Sequence, residues 1–408
     1  MKYNRRKVDS VIANVDQIKQ INSASIYKVI ERNAPISRVK ISQVSKLAPA
    51  SVTKITRQLL INGIISETAR QPSTGGRCAI SLELNVSKVN VIAIRISRKH
   101  LTVSRYNLAG ELSTQSKSNV EGFNVEELLA SIFTKSEEII ANETKANGII
   151  SAIALTLSGL IEPDIGIVSY SPYHPFKDFP LVKVIKDKLG LPTFIGNHAR
   201  SIALAEHYFG AARDCQDSIL IGIHNGVGSG ILFNGKLLQG IKYHMGEVGH
   251  IQVNPAGVKC HCGNYGCLET EINDQVLVKK VISAIEGGAQ SSVDIKTLTP
   301  STVFLAAKDN DPVCQKIVTD AATYLGKTIA MLINILNPER IIITGKICKA
   351  ENVLFSTIEK SIQQSVLPIF QDNVSVHAGE LDPKSTLAAF SLIKREIYDG
   401  NLLLKLKV

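Results

Sequence analysis

The chain lacks any run of about 18 apolar residues, the length a membrane-spanning helix needs. Its basic start (Lys2, Arg5, Arg6, Lys7) leads into polar sequence, where a secretory leader would carry an apolar stretch. Neither membrane insertion nor secretion is therefore expected. Cysteine is sparse and odd in number: seven in 408 residues, three of them crowded between 260 and 267. That excludes a disulfide framework and predicts thiols in a reducing compartment, the cytoplasm. Low-complexity tracts and short repeats are missing too, which excludes solenoid and disordered classes. What remains, with 44% hydrophobic and 20% charged residues, is the composition of a globular protein. At roughly 100 to 200 residues per domain, the length allows two or three domains.

Positive charge is concentrated at one end. Residues 1–85 hold 14 Lys and Arg against 5 Asp and Glu, a surplus of 9 that leaves +1 of the overall +10 to the other 323 residues. So basic a segment attracts polyanions, nucleic acid above all when the segment has the periodicity of a fold; a merely solvated basic surface is the alternative. The periodicity is there. Ile26, Val29 and Ile30 fall at i, i+3, i+4 of a first helix that should stop near Asn33, because Pro35 disfavours helix at Ala34. Ser37 can cap a short second helix with Ile41, Val44 and Leu47 on its inner side. Pro49 suits the first turn of a third, whose buried side carries Val52, Ile55 and Leu59. Its outer side shows Ser51, Thr53, Lys54 and Arg57. Arg and Lys donate to guanine edges, and Ser and Thr reach phosphates or bases. After Gly63, residues 64–67 and 78–82 read as two strands joined by the glycine-rich 73–77, a wing that brings Arg77 to a minor groove or a phosphate. Residues 1–85 thus read as a winged helix-turn-helix for double-stranded operator DNA; a helical bundle for protein contacts shares the spacing.

From about residue 86 the texture is α/β. Strands are predicted at 90–97 and 101–107, and Asn124 with Glu127 forms a capping box ahead of Leu128, Leu129, Ile132 and Phe133. Gly148 precedes a strand ending at Leu157, and 218–224 with 230–233 reads as strand-turn-strand. A late strand at 340–344 follows a helix stopped by Asn337 and Pro338. The linker candidate is 83–89, which makes 86–408 the second domain, plausibly of two lobes.

Within it His250, Cys260, Cys262 and Cys267 make the three-thiolate, one-imidazole set of a closed tetrahedral zinc site, structural rather than catalytic. Gly257, Gly263 and Gly266 let the loop fold tightly enough for the ligands to converge. His261 is the nearest competing ligand and should point away from its cysteine neighbours. Three unrelated buried thiols beside an ordinary histidine is the alternative.

The stretch Gly246-Glu-Val-Gly-His250 through Cys260-His-Cys-Gly-Asn-Tyr-Gly-Cys-Leu-Glu269 resembles the signature of the ROK family, bacterial sugar kinases and transcriptional repressors. The resemblance runs over nearly the whole chain. It implies an N-terminal winged helix-turn-helix followed by a two-lobed, actin-like (ROK sugar-kinase-like) domain, zinc in the sugar lobe, and a homodimer or homotetramer that pairs DNA-binding domains. Residue by residue it implies that Asn197, Glu247, His250 and Glu269 hold sugar hydroxyls, with Gly159 shaping the adjacent loop.

The resemblance also implies where catalysis should sit, and there the chain departs. Family kinases carry Asp-x-Gly-Gly-Thr after their first strand; here the place reads Arg95-Ile96-Ser97-Arg98-Lys99. They carry Asp after Asn as the general base; here the dipeptide is Asn197-His198. Gly226, Gly228 and Gly230 of a second phosphate loop are kept, but the later glycine segment is reduced to Thr344-Gly345-Lys346. Binding without turnover is expected, and therefore no enzyme. A ligand already phosphorylated needs no base, and an imidazole at His198, able to carry charge near neutral pH, can attract its phosphate; a histidine simply satisfied at a strand end is the alternative. Residues 47–58, 73–77 and 203–210 are most similar to the family's repressors of amino-sugar genes, which implies N-acetylglucosamine 6-phosphate as the ligand that releases operator. Two alternatives stay open: a repressor of glucose-uptake genes controlled by a phosphotransferase-system protein, and a sugar kinase with an appended DNA module.

Overall fold

The computed structural model describes residues 15–68 and 80–406. The predicted wing tip, with Arg77, lies outside them.

The basic segment folds as its apolar spacing dictates. Helix α1 (Val15–Asn33) buries Ile26 and Ile30 and stops at the expected place. A two-residue strand, β1 (Ile36–Ser37), leads into α2 (Arg38–Ser45), where the Ser37 hydroxyl accepts from the Lys40 amide. Helix α3 (Pro49–Ile61) begins with proline in its first turn and buries Val52, Ile55, Thr56 and Leu59. Strands β2 (Ile65–Thr68) and β3 (Ser81–Leu84) pair antiparallel, and β1 joins on the far side of β3, completing the small sheet of a winged helix. One inward assignment fails. Val44 is 46% exposed, because α2 ends one residue later, with Lys46 left-handed (φ 57°), and turns only Ile41 fully inward.

Beyond the head come β4 (Val89–Ile96), β5 (His100–Asn107), β6 (Leu112–Asn119), α4 (Val125–Lys145) and β7 (Ile149–Leu157). The capping box predicted at Asn124 and Glu127 is present, each side chain bonding the other's amide at 2.9 Å. Next come β8 (Leu160–Glu162), β9 (Ile167–Tyr170), β10 (Lys177–Phe179), α5 (Leu181–Leu189), β11 (Thr193–Asn197) and α6 (His198–Phe209). The chain continues with β12 (Ser218–Ile223), β13 (Val227–Phe233), β14 (Lys236–Leu237), α7 (Leu268–Ile272), α8 (Asp274–Glu286), α9 (Pro300–Lys308) and α10 (Pro312–Leu336). It closes with β15 (Arg340–Gly345), α11 (Glu351–Ser365), α12 (Pro368–Gln371), β16 (Ser375–Ala378) and α13 (Leu387–Tyr398).

Two five-stranded sheets share one winding order: β11-β7-β4-β5-β6 and β14-β13-β12-β15-β16. In the second, β12 pairs antiparallel with β13 and parallel with β15, which pairs parallel with β16. Its inner face, Ile219, Ile221, Ile341 and Ile343, belongs to a core shared with Leu325, Ile329 and Ile333 of α10. Asn337, left-handed at φ 42°, ends that helix where the sequence predicts. Among the described residues, no helix is long and apolar enough to cross a membrane.

The chain forms two compact units. One holds residues up to Leu155, Val182–Phe194 and those from Leu392; the other holds Thr156–Leu181 and Ile195–Ser391. In the first, the head is seated on the C-terminal turns of α13. Lys394 Nζ donates to Glu31 of α1 at 2.9 Å, the Tyr398 hydroxyl donates to the same carboxylate, and Lys28 lies 4.7 Å from the centre of the Tyr398 ring. The pair is nearly dry, with side chains 9% and 12% exposed. Burial lowers the Lys394 pKa, and Glu31 opposes that shift. Removing one partner of a buried pair strands the other charge. Lys394→Ala should therefore cost about 3–5 kcal/mol in urea unfolding, and adding Glu31→Gln should recover part of the loss.

Candidate functional site

On the head, Ser51, Thr53, Lys54 and Arg57 all lie on the exposed side of α3, opposite the buried stripe. Thr53 donates its hydroxyl proton to the Pro49 carbonyl at 2.9 Å. One contributor lies at i+4 from Val52 on the inner stripe but is polar, and so is missing from the apolar pattern. Thr56 is fully buried, donates to the Val52 carbonyl at 2.8 Å and accepts from Arg38 Nε at 3.2 Å. Arg38 also pairs with Glu67 at 3.0 Å. The guanidinium thus fixes α3 against α2 and the first wing strand, which holds the outer face of α3 in place.

In the second unit, β11 delivers Asn197 to the start of α6. Its Oδ1 accepts from the Arg200 amide at 3.3 Å, and its Nδ2 donates to the Gly159 carbonyl at 3.0 Å, joining two of the expected ligand-site residues. His198 has a partner at each ring nitrogen: Nε2 is 2.9 Å from the Pro383 carbonyl and Nδ1 is 3.4 Å from the Thr156 hydroxyl. Glu247 is held by Arg200, whose Nη2 lies 2.7 Å from Oε1. Burial lowers the Arg200 pKa, and Glu247 raises it again. Glu269, on α7, accepts from the Val227 amide at 2.9 Å and lies 3.2 Å from His261 Nδ1. This approach needs glycine at 226, where a Cβ would stand 2.6 Å from Oε2 of Glu269.

Between Glu247 and Glu269 the four predicted metal ligands converge. The donor atoms of His250, Cys260, Cys262 and Cys267 all lie within 4.8 Å of one another. His250 turns Nδ1 toward Cys260 Sγ at 3.6 Å, and the sulfurs of Cys262 and Cys267 are 3.7 Å apart. Cys260 and Cys267 are buried and Cys262 exposed. Burial, helped by hydrogen bonds from the neighbouring thiols, pushes Cys267 up to about 12. Buried thiols of that kind become ligands when a cation displaces their protons, and a soft-donor set of three sulfurs and one imidazole fits zinc chemistry. His261 departs from expectation. It stands beside the cluster, its Nδ1 3.8 Å from Cys260 Sγ, and Cys260, His261 and Glu269 form a second possible ligand group. Its partner there is Glu269, with the His261 side chain itself 69% exposed.

The positions where the resemblance implies phosphate handling are also placed. Residues 97–99 make the tight turn between β4 and β5, with the Ser97 amide donating to the His100 carbonyl at 2.9 Å. Gly345 is left-handed at φ 133°, and Lys346 after it lies 3.4 Å from Asp274, which is 2% exposed.

Residues 91–396 match the ROK family. The chain is 39% identical over 392 residues to the N-acetylglucosamine repressor of Escherichia coli O6:H1, covering 96% of this chain and 97% of that protein. A solved structure described as a ROK family transcriptional regulator, homolog of the E. coli MLC protein, superposes with a TM-score of 0.89 at 37% identity, covering 96% of this chain and 99% of that one. The ROK hexokinase from Thermus thermophilus, 22% identical, shares the fold over 75% of this chain and 99% of its own, with a TM-score of 0.62.

The ligand loop depends on Gly266, left-handed at φ 58°, where a Cβ would stand 1.6 Å from the Asn254 carbonyl oxygen. Gly266→Ala should cost at least about 1–3 kcal/mol for the backbone conformation alone, and more for the contact. Urea unfolding of purified protein measures it.

Proposed function

The chain belongs to the ROK family, and on that premise we propose that it is a DNA-binding repressor of amino-sugar uptake and catabolism genes, released from its operator by N-acetylglucosamine 6-phosphate. That it regulates transcription of sugar genes follows from its relatives. The identity of the ligand is our reading. One asymmetry carries it: the sugar-facing set Asn197, Glu247, His250 and Glu269 is retained, while the places that serve phosphoryl transfer hold Arg95 to Lys99 and His198. Groups that bind hydroxyls are kept, while the first phosphate loop and the general base are replaced and only Gly226, Gly228 and Gly230 of a second loop remain, which favours a sensor over an enzyme.

In this account residues 1–85 grip DNA through Ser51, Thr53, Lys54, Arg57 and Arg77, and residues 86–408 sense sugar and assemble the protein into a dimer or tetramer. Zinc on His250, Cys260, Cys262 and Cys267 is structural, closing the loop between the two carboxylates. His250 places Nδ1 toward the sulfurs, which leaves Nε2 as the nitrogen that would meet sugar. His198 would take the phosphate by releasing the Pro383 carbonyl, a change that pulls on the segment entering α13. Operator release is then a two-state linkage: ligand favours the conformation in which paired heads no longer fit both half-sites. A tenfold loss of occupancy needs a coupling of about 1.4 kcal/mol, within the usual range.

Fluorescence anisotropy on promoter DNA of amino-sugar genes tests the reading. N-acetylglucosamine 6-phosphate at up to millimolar concentration should release the protein, and a coupled assay with ATP and N-acetylglucosamine should show no turnover above background. No response to the sugar phosphate would favour a protein inducer; genuine turnover would favour a kinase. Arg57→Ala should weaken operator binding by about 1–3 kcal/mol, the worth of a bidentate base contact. Elemental analysis should find about one zinc per chain, lost in Cys267→Ser.

A further inference from the structure

The segment that carries Glu247 is held in an unfavourable backbone conformation. Lys242 and Tyr243 are both left-handed, at φ 54° and 62°, between Gly240 and Gly246 at 64° and 87°. Non-glycine residues stay there only where the surroundings over-determine them. Lys242 pairs with Glu162 at 3.7 Å, and Arg200 of α6, 6% exposed, holds the residues that follow it. Its Nη1 donates to the Tyr243 carbonyl, its Nε donates to the Met245 carbonyl at 3.0 Å, and its Nη2 donates to Glu247 Oε1 at 2.7 Å. One planar guanidinium therefore reaches residues 243, 245 and 247 together, a pattern that a lysine ammonium, a single compact donor centre, cannot reproduce. Ser229 adds one further tie, its hydroxyl donating to the Gly246 carbonyl at 2.5 Å. Glu247 itself stays 44% exposed, with Oε1 turned to Arg200.

We propose that Arg200 is the positioning residue of the ligand site: it clamps residues 243–247 so that Glu247 gives one carboxylate oxygen to the guanidinium and presents the other to a sugar hydroxyl. The inference rests on the reading of this pocket as a sugar-phosphate site. It goes beyond that reading in giving affinity to a side chain that need not touch the sugar, three residues past Asn197 in α6. Because Arg200 acts through Glu247, the two are energetically one unit, whereas a residue that merely stabilised the fold would act independently of Glu247.

Calorimetric titration of N-acetylglucosamine 6-phosphate into the full-length wild type, Arg200→Met, Arg200→Lys, Glu247→Gln and the Arg200→Met/Glu247→Gln double variant tests this. Thermal unfolding of each identifies the folded variants. Arg200→Met and Arg200→Lys should each lose at least tenfold in affinity, and the double variant should bind no more weakly than Glu247→Gln alone. If Arg200→Met does not fold, Arg200→Lys, in its own double variant with Glu247→Gln, decides by the same criteria. Wild-type affinity in the Arg200 variants, or losses that multiply in the double variant, would overturn the clamp. Failure of the wild type to bind any sugar phosphate would instead sink the sugar-site reading, and the clamp with it, before any variant is compared.

Discussion

The convergence of one imidazole and three thiols is the constraint on which the proposed ligand site depends. His250 follows Glu247 by three residues, and Cys267 precedes Glu269 by two, so closing His250 onto Cys260, Cys262 and Cys267 limits how far apart the two carboxylates proposed to hold sugar can stand. Neither carboxylate is set by regular structure alone. Glu247 sits in a segment of left-handed residues, and Glu269 lies on a five-residue helix. The approach of Gly266 to Asn254 and the amide of Val227 on Glu269 complete the arrangement. Backbone hydrogen bonds already join residues 251–254 to 266–268, and a cation among the four ligands would tie the same stretches with far more energy.

In the proposed account gripping and sensing lie in separate parts of the chain. The side chains proposed to face DNA stand on a short helix whose inner stripe is fully apolar except for Thr56, itself satisfied by Val52 and Arg38. The head is fastened to α13 by a nearly dry ion pair beside the buried Tyr27 ring, whose centre lies 6.4 Å from that of Tyr398. Buried pairs of this sort are strongly directional and contribute less net stability than apolar packing of the same size. The pair gives the joint a specific geometry, which suits the ligand-shifted equilibrium proposed above.

Much of this was legible in the sequence because single residues dictate local geometry. Pro49 opens α3, Asn124 and Glu127 cap α4, Asn337 ends α10, and the cysteine spacing announces the cluster of possible metal ligands. Other features carry no such mark. Strand β6 is almost wholly polar and exposed at a sheet edge, so no alternation betrays it. The shared winding order of the two large sheets is a likeness of backbone path without a sequence repeat. Val44 has the right spacing for a core but falls where the helix runs out. Arg200 and His261 are set by partners 47 and 8 residues away, Glu247 and Glu269, which spacing along one element cannot reveal.

As proposed, zinc on the 250–267 loop serves the sensor and not the grip. Operator affinity measured on metal-depleted protein, with and without N-acetylglucosamine 6-phosphate, tests it most directly. The account predicts that depleted protein still binds operator in the absence of sugar but no longer releases it when sugar phosphate is added, with the response returning on addition of zinc. An undiminished response from protein shown to be free of metal would contradict it.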